Sequence, residues 1–379
     1  MIKKLHLYII REFCGAFLFG LAVFSMLLLL DQVFQLVDLF LSKGVAFFIV
    51  LKLFAFILPN ILTLAIPMAV LFGVLIAYGR LSEDNEITAM KANCIDYKTL
   101  SVPVIVFVCL ISVFLIFFNH FWSPNMHKNF RNLYEEIIIK RPLVKFDEKT
   151  IINLGDYQIY ANKVNSKNNT MSGVNIYKFE NKKKKSDNPE TSVASPMNDS
   201  GSWRIAASSA SVKVYLNGVR FTLYNGYWQR ANPSNINNMI HMTFKSYDFP
   251  IPLGDAIKGQ SSSLREMDSR EILKTIKKYK SQNLPPYAYE NEFWMRWIFA
   301  TAPIAFVLIA LPIGIMAGKG GKTIGFGMSL GVILFYYMLL IIAMNLGERG
   351  YAPAWFIMWA PNLAVSACGL YLFTKMVKR

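Results

Sequence analysis

Phe13 to Leu30 reads FCGAFLFGLAVFSMLLLL, eighteen residues without a charge. A helix needs about 20 residues, at about 1.5 Å each, to cross a hydrocarbon core of about 30 Å. The stretch is too long for the apolar core of a signal peptide, and no small-residue cleavage site follows it. An uncleaved first spanning helix is therefore expected. Similar stretches recur near 53–78, 100–121, 294–316, 324–345 and 352–374. Composition agrees: 54% of the 379 residues are hydrophobic and 17% charged, against roughly 25% charged in soluble domains. The expected class is a polytopic α-helical membrane protein with six transmembrane helices.

The short loops orient it. With the N-terminus inside, the inner ends carry Lys3, Lys4, Arg11, Arg80, Lys91, Lys98, Lys319, Lys322, Lys375, Lys378 and Arg379. The outer short loops carry Lys43, Lys52 and Arg349. Arg296, read as a boundary residue, is left out of the count. This positive-inside bias puts both termini in the cytoplasm and the segment of about 122–290 outside.

Between 150 and 252 the hydrophobic period changes from helical to two. Val212, Val214 and Leu216 alternate with Lys213 and Tyr215; Phe221 and Leu223 alternate with Arg220, Thr222 and Tyr224. Tyr157 to Ala161, Val174 to Phe179 and Met239 to Tyr247 are further strand candidates. Asn217-Gly218 and Asn225-Gly226 are turn signals. Such spacing predicts an antiparallel sandwich, jelly roll or related fold. The Lys- and Asn-rich stretch 181–202, with Lys182 to Lys185 consecutive, reads as a solvated loop. Segment 264–280 turns helical and basic ahead of Pro285 and Pro286. The chain thus divides into 1–121 with three spans, an inserted β domain over 122–290, and 291–379 with three more.

The charge of +16 sits largely in the exported segment, which argues against nucleic acid. An anionic membrane surface or simple solubility both suit that placement. Cys14, Cys109 and Cys368 lie in spans and Cys94 in an inner loop, so the exported segment folds without disulfides. The cysteines and the scattered His6, His120, His127 and His241 have no metal-site spacing. No catalytic constellation stands out, so catalysis by this chain is not expected.

The most informative inner stretch is RLSEDNEITAMKANCID, Arg80 to Asp96. Ser82 is a candidate N-cap, and Glu83, Asp84 and Glu86 crowd a first turn where the helix dipole favours anions. Ile87, Met90 and Cys94 form one apolar stripe. A short amphipathic helix over about 82–94 follows, either lying on lipid or docking a soluble basic partner; three carboxylates favour the partner. AGKGGKT, ending at Thr323, lacks the first glycine and the strand–helix flanks of a phosphate loop. Asp31 and Asp38, late in the first span, mark either a polar cavity mouth or the membrane boundary.

These stretches resemble the permease subunits of the lipopolysaccharide export ABC transporter along nearly the whole chain. LHLYIIREFCGAFLFGLAVFS with Asp38 and Lys43-Gly44 is similar to that family's first helix. LPNILTLAIPMAVLFGVLIAYGRLSEDNEITAMKA is similar to its second helix and coupling helix, and is the most specific match. SLREMDSREILKTI, EFWMRWIFATAPIAFVLIALPIGI and WAPNL around Trp359, Pro361 and Asn362 continue it. Members often have Gly where Cys94 stands.

The resemblance implies a periplasmic β-jellyroll between two sets of three helices, in the bacterial inner membrane. It implies pairing with a paralogous permease above a dimeric cytoplasmic ATPase, beside a single-helix, membrane-anchored periplasmic jellyroll protein. Glu86 would meet the ATPase, with Arg80, Ser82 and Met90 flanking. Asp38 and Lys43 would stand at the cavity entrance, and Phe221 and Leu223 on the lipid path of the jellyroll. ATP and Mg would bind the ATPase, and this chain would hold no cofactor. A permease for another lipid or lipoprotein is the alternative; those systems usually place the exported domain after the first helix.

Overall fold

The computed structural model describes residues 2–41, 44–140, 148–154, 157–165, 169–178, 203–215, 218–231, 239–252, 264–316 and 321–378. The Lys182–Lys185 run, Lys43 and Lys319 lie outside the described residues. The chain forms two compact units, one of Met1–Phe34, Phe54–Phe130 and Ser262–Arg379, the other of Gln35–Leu53 and Arg131–Ser261.

The helices are α1 (Ile2–Leu41), α2 (Phe47–Glu83), α3 (Glu86–Ala92), α4 (Tyr97–Phe117), a π-helical turn (Phe118–Trp122), α5 (Ser123–Lys140), α6 (Ser269–Ser281), α7 (Tyr287–Met316), α8 (Gly321–Glu348) and α9 (Ala354–Val377). Six segments are long and apolar enough to cross a membrane. The chain is a multi-pass membrane protein. The third segment, Tyr97–Ile137, is 41 residues or about 60 Å, twice the hydrocarbon thickness of about 30 Å. The chain therefore stays helical well past residue 121 before any strand forms.

In the helical unit α2 and α7 form the core, with 78% and 72% of their most apolar windows buried, against 17% for α1 and 28% for α8 and α9. Lipid gives no hydrophobic drive between helices, so small residues that permit close approach decide the packing. Ala65, Ala69 and Ala77 of α2 and Ala302, Ala305 and Ala310 of α7 are buried. Gly369 of α9 lies so close to α7 that a Cβ there would stand 2.6 Å from the Ile309 nitrogen. At its start α6 carries a capping box: Asp268 Oδ1 accepts from the Ser269 N–H at 2.7 Å, and Glu271 Oε2 accepts from the Asp268 N–H at 3.3 Å. It buries Ile272 and Ile276.

The second unit holds seven strands: β1 (Ile151–Leu154), β2 (Tyr157–Tyr160), β3 (Lys163–Asn165), β4 (Thr170–Lys178), β5 (Trp203–Tyr215), β6 (Gly218–Ala231) and β7 (Met239–Pro252). They make one antiparallel sheet in the order β1-β2-β4-β5-β6-β7, with β3 on β4. The sheet curls over on itself. Strands lie about 4.8 Å apart, so β2 and β7, four steps apart, would be about 19 Å apart if the sheet were flat. Yet the rings of Tyr157 in β2 and Phe249 in β7 meet edge to face, centroids 5.3 Å apart, and Trp203 of β5 touches both.

The curl has a local cause. Register places Gly173, Ser208 and Asn225 in one row across β4, β5 and β6. Gly173 and Asn225 have φ of 62° and 49°, left-handed values that Gly and Asn tolerate best. Buried positions in β4 jump from Met171 to Val174, and in β5 from Ala207 to Ala210, so the inward face changes phase at this row. Asn225-Gly226, expected as a turn, sits inside continuous β6. Gly226 is needed there because a Cβ would stand 2.4 Å from the Ala206 oxygen. The turn chemistry is present, but it bends a strand rather than ending one. Asn217 lies outside the described residues; Tyr215 of β5 pairs with Gly218 of β6.

Candidate functional site

The described residues gather functional groups at the α2–α3 turn. The first span expected from sequence begins at Phe13, yet α1 starts at Ile2, and its first turns run beside this turn. Tyr8 Oη donates to Glu86, lying 3.0 Å from Oε1 and 2.9 Å from Oε2. One turn on, Glu12 pairs with Arg80, whose Nε lies 3.6 Å from Asp84 Oδ2. Ile87 of α3 is buried, and Met90 packs half-buried against the same apolar core.

Ser82 is not an N-cap. Helix α2 runs through it to Glu83, and the hydroxyl of Ser82 donates to the Ile315 carbonyl at the end of α7 at 2.8 Å. The short helix starts after Asn85, which has φ of 58° and makes no side-chain cap bond. Its C-terminus is a Schellman closure: the Ile95 N–H donates to the Met90 carbonyl at 3.1 Å and the Cys94 N–H to the Lys91 carbonyl at 2.9 Å. The residue between helix and reversal must then be left-handed, and Cys94 has φ of 59°. A residue with a side chain thus occupies a glycine conformation. The apolar stripe runs Ile87, Met90, Ile95; Cys94 is exposed past the helix end.

Of the residues singled out in sequence, Arg80 and Glu86 flank the turn, held by Glu12 and Tyr8 of α1, while Ser82 and Met90 face the helical core. Asp38 is an exposed residue of α1, and the side chain of Asp31 lies outside the described residues. Phe221 and Leu223 are fully buried inside the curled sheet, among Ile205, Ala210, Val212 and Phe249. Nearby, burial and the Tyr157 phenol push the Tyr247 hydroxyl above its ordinary pKa, so it stays neutral.

Sequence reading missed a second polar cluster. A cavity of about 210 Å³ is lined by Asn60, Thr63, His127, Arg265, Glu292 and Tyr337, with Phe299 and Leu340 among its apolar walls. The π-helical turn, a feature frequent at functional sites, brings Asn119 there; its Oδ1 accepts from the Thr63 hydroxyl at 2.8 Å. Arg296, read from sequence as a boundary residue, lies inside α7 and is buried. Its guanidinium donates to Glu292 at 3.4 Å, to Ser269 Oγ at 3.0 Å and to the Met267 carbonyl at 2.9 Å. The four-residue spacing of Glu292 and Arg296 was the available signal. Among the described residues, no three His, Cys, Asp or Glu side chains are placed to hold a metal ion.

The turn gathers three carboxylates, a guanidinium and a phenol in direct contact. A comparison with curated proteins gives no match. The family profile described as lipopolysaccharide export system permease LptF/LptG matches residues 7–375, a span that includes the turn, the six helices and the inserted sheet. The chain belongs to the LptF/LptG family of lipopolysaccharide export permeases.

Proposed function

We propose that this chain is a transmembrane subunit of an ABC exporter that lifts lipopolysaccharide out of the bacterial inner membrane. It pairs with a paralogous permease above a dimeric cytoplasmic ATPase. Both termini are cytoplasmic and the sheet unit is periplasmic, in line with the count of basic residues in the short loops. ATP and Mg bind the ATPase, and this chain supplies the moving parts. Lipopolysaccharide passes to the curled sheet and then to a single-helix, membrane-anchored jellyroll protein that begins the periplasmic bridge. Asp38 and Lys43 stand at the cavity entrance in this reading.

The observation that carries it is the build of α3. Ile87 and Met90 anchor one face in the helical core, while Glu83, Asp84 and Glu86 line the turn that precedes and opens the helix. A helix meant to lie on an anionic leaflet would not gather carboxylates; a lever for a basic partner would. The enclosed faces of β5 and β6 supply an apolar interior for acyl chains.

Glu86→Arg tests the docking. It is expected to abolish co-purification of the ATPase subunit while leaving membrane insertion intact, and ATPase recovered at the wild-type level refutes the reading. Photo-crosslinkers at Phe221 and Leu223 test the path. They are expected to capture lipopolysaccharide in an ATP-dependent manner, and equal capture without ATP counts against it.

A further inference from the structure

The carboxylate of Glu86 is held by its own chain. Tyr8 Oη lies nearly equidistant from the two carboxylate oxygens, at 3.0 and 2.9 Å. A phenol has one proton to give, and sharing it between the two oxygens restrains the carboxylate against swinging away from α1. Each oxygen keeps a further lone-pair direction, so a basic side chain can still approach from the solvent side. Tyr8 is 40% exposed, and Glu86 is half-buried. The contact therefore orients the carboxylate without enclosing it.

A second contact runs parallel to the first. Glu12, one turn beyond Tyr8 and so on the same face of α1, pairs with Arg80. Arg80 precedes the α2–α3 turn and Glu86 follows it, so α1 grips the turn on both sides. Beside this grip Ile9 and Phe13 are fully buried, whereas Leu18, Phe19, Met26 and Leu27 further along are well exposed. Helix α1 is thus fastened at the turn by polar contacts, in addition to the apolar packing of Gly20 and Phe24 against Phe72 of α2 further along. A displacement of α3 reaches α1 directly through Tyr8.

We propose that Tyr8 is a positioning residue for the docking carboxylate, and that Tyr8–Glu86 and Glu12–Arg80 join the start of α1 to the α2–α3 turn as one docking element. The proposal rests on the docking reading of α3. Its partner is the basic group of the ATPase that Glu86 meets. Without the phenol, the carboxylate samples many rotamers that the partner must restrict on binding.

The test is a double-mutant cycle on the full chain, assembled with its paralogous permease in nanodiscs and titrated with the purified ATPase subunit of the same export system. Tyr8→Phe keeps the ring and removes only the hydroxyl, so the melting temperature should stay at the wild-type value. ATPase affinity is expected to fall by about twofold to tenfold, the cost of immobilising one more rotamer-rich side chain on binding. In a Glu86→Ala background, adding Tyr8→Phe should change affinity less than twofold, because nothing remains to be positioned. Unchanged affinity in Tyr8→Phe overturns the proposal. So does tighter binding, which would make Tyr8 a competitor for the carboxylate, and so does an equal loss in both backgrounds. If Glu86→Ala itself binds the ATPase normally, the docking reading fails first and the proposal falls with it.

Discussion

Arg296 and Glu292 stand one turn apart on α7 and form an ion pair almost shut off from solvent, with 6% and 10% of their side chains exposed. Arg296 is nine residues into the helix and buried in the protein, where an unpaired charge is costly. The guanidinium also holds the segment returning from the sheet unit, through Ser269 Oγ and the Met267 carbonyl. Arg296→Met strands the Glu292 carboxylate and the carbonyls of Leu264, Arg265 and Met267, and should cost about 3–5 kcal/mol. Glu292→Gln leaves those acceptors engaged and should cost less. Thermal unfolding of both variants in detergent checks the order, and a reversed order would remove Arg296 from the centre of the cluster.

Cys94 occupies a left-handed conformation that the Schellman closure of α3 demands, with φ of 59°. A side chain there is strained by about 1 kcal/mol relative to glycine. Cys94 is exposed, so its replacement leaves no cavity. Cys94→Gly should stabilise the α3–α4 turn by about 0.5–1 kcal/mol, and Cys94→Val should destabilise it by at least as much. Amide exchange of Ile95 and Cys94, whose N–H groups close the motif, reads the change directly. Faster exchange in the glycine variant would contradict it.

The spans, the inserted sheet and the helix after the second span were legible because each rests on a local period. The misreadings share another cause. Tyr8 and Glu12 reach Glu86 and Arg80 across 78 and 68 residues, and no periodicity encodes a contact that packing creates. Ser82 has the chemistry of a cap, but the Ile315 carbonyl, 233 residues away, takes its hydroxyl. Arg296 looked like the water edge because a charge usually marks it; its burial depends on the carbonyls of a loop from elsewhere in the chain. Asn225-Gly226 carried the right backbone preference, and the neighbouring strands decided that it would bend β6 rather than end it.

The interior of the sheet unit depends on a three-ring contact at the closing edge. Phe249 is 3% exposed and meets Tyr157 and Trp203 with centroids 5.3 and 5.7 Å away. Phe249→Ala removes the only member of the trio on β7 and should cost about 3–5 kcal/mol. The expected readout is faster protease cleavage within 150–252 of the full-length protein, with the melting of the helical unit unchanged. Cleavage at the wild-type rate would mean that other contacts hold the curl.

Asn362 ties three spanning helices by one side chain. From α9, its Nδ2 donates to Thr301 Oγ1 at 2.9 Å and to the Ile298 carbonyl at 3.1 Å, both on α7. Its Oδ1 accepts from the Tyr336 hydroxyl of α8 at 2.9 Å. Asn362 and Tyr336 are 4% and 1% exposed, so water does not replace what a substitution removes. Hydrogen bonds between spanning helices are each worth about 0.6–2 kcal/mol, and a stranded buried hydroxyl adds about 1–3 kcal/mol. Asn362→Leu, close in volume but without polar atoms, should therefore cost about 2–4 kcal/mol. Tyr336→Phe removes a single bond and should cost about 1 kcal/mol. In the double variant the stranded hydroxyl is gone, so Asn362→Leu should cost less on top of Tyr336→Phe than alone. Melting curves of the four proteins in one detergent give that coupling, and strict additivity would show that the two side chains act separately.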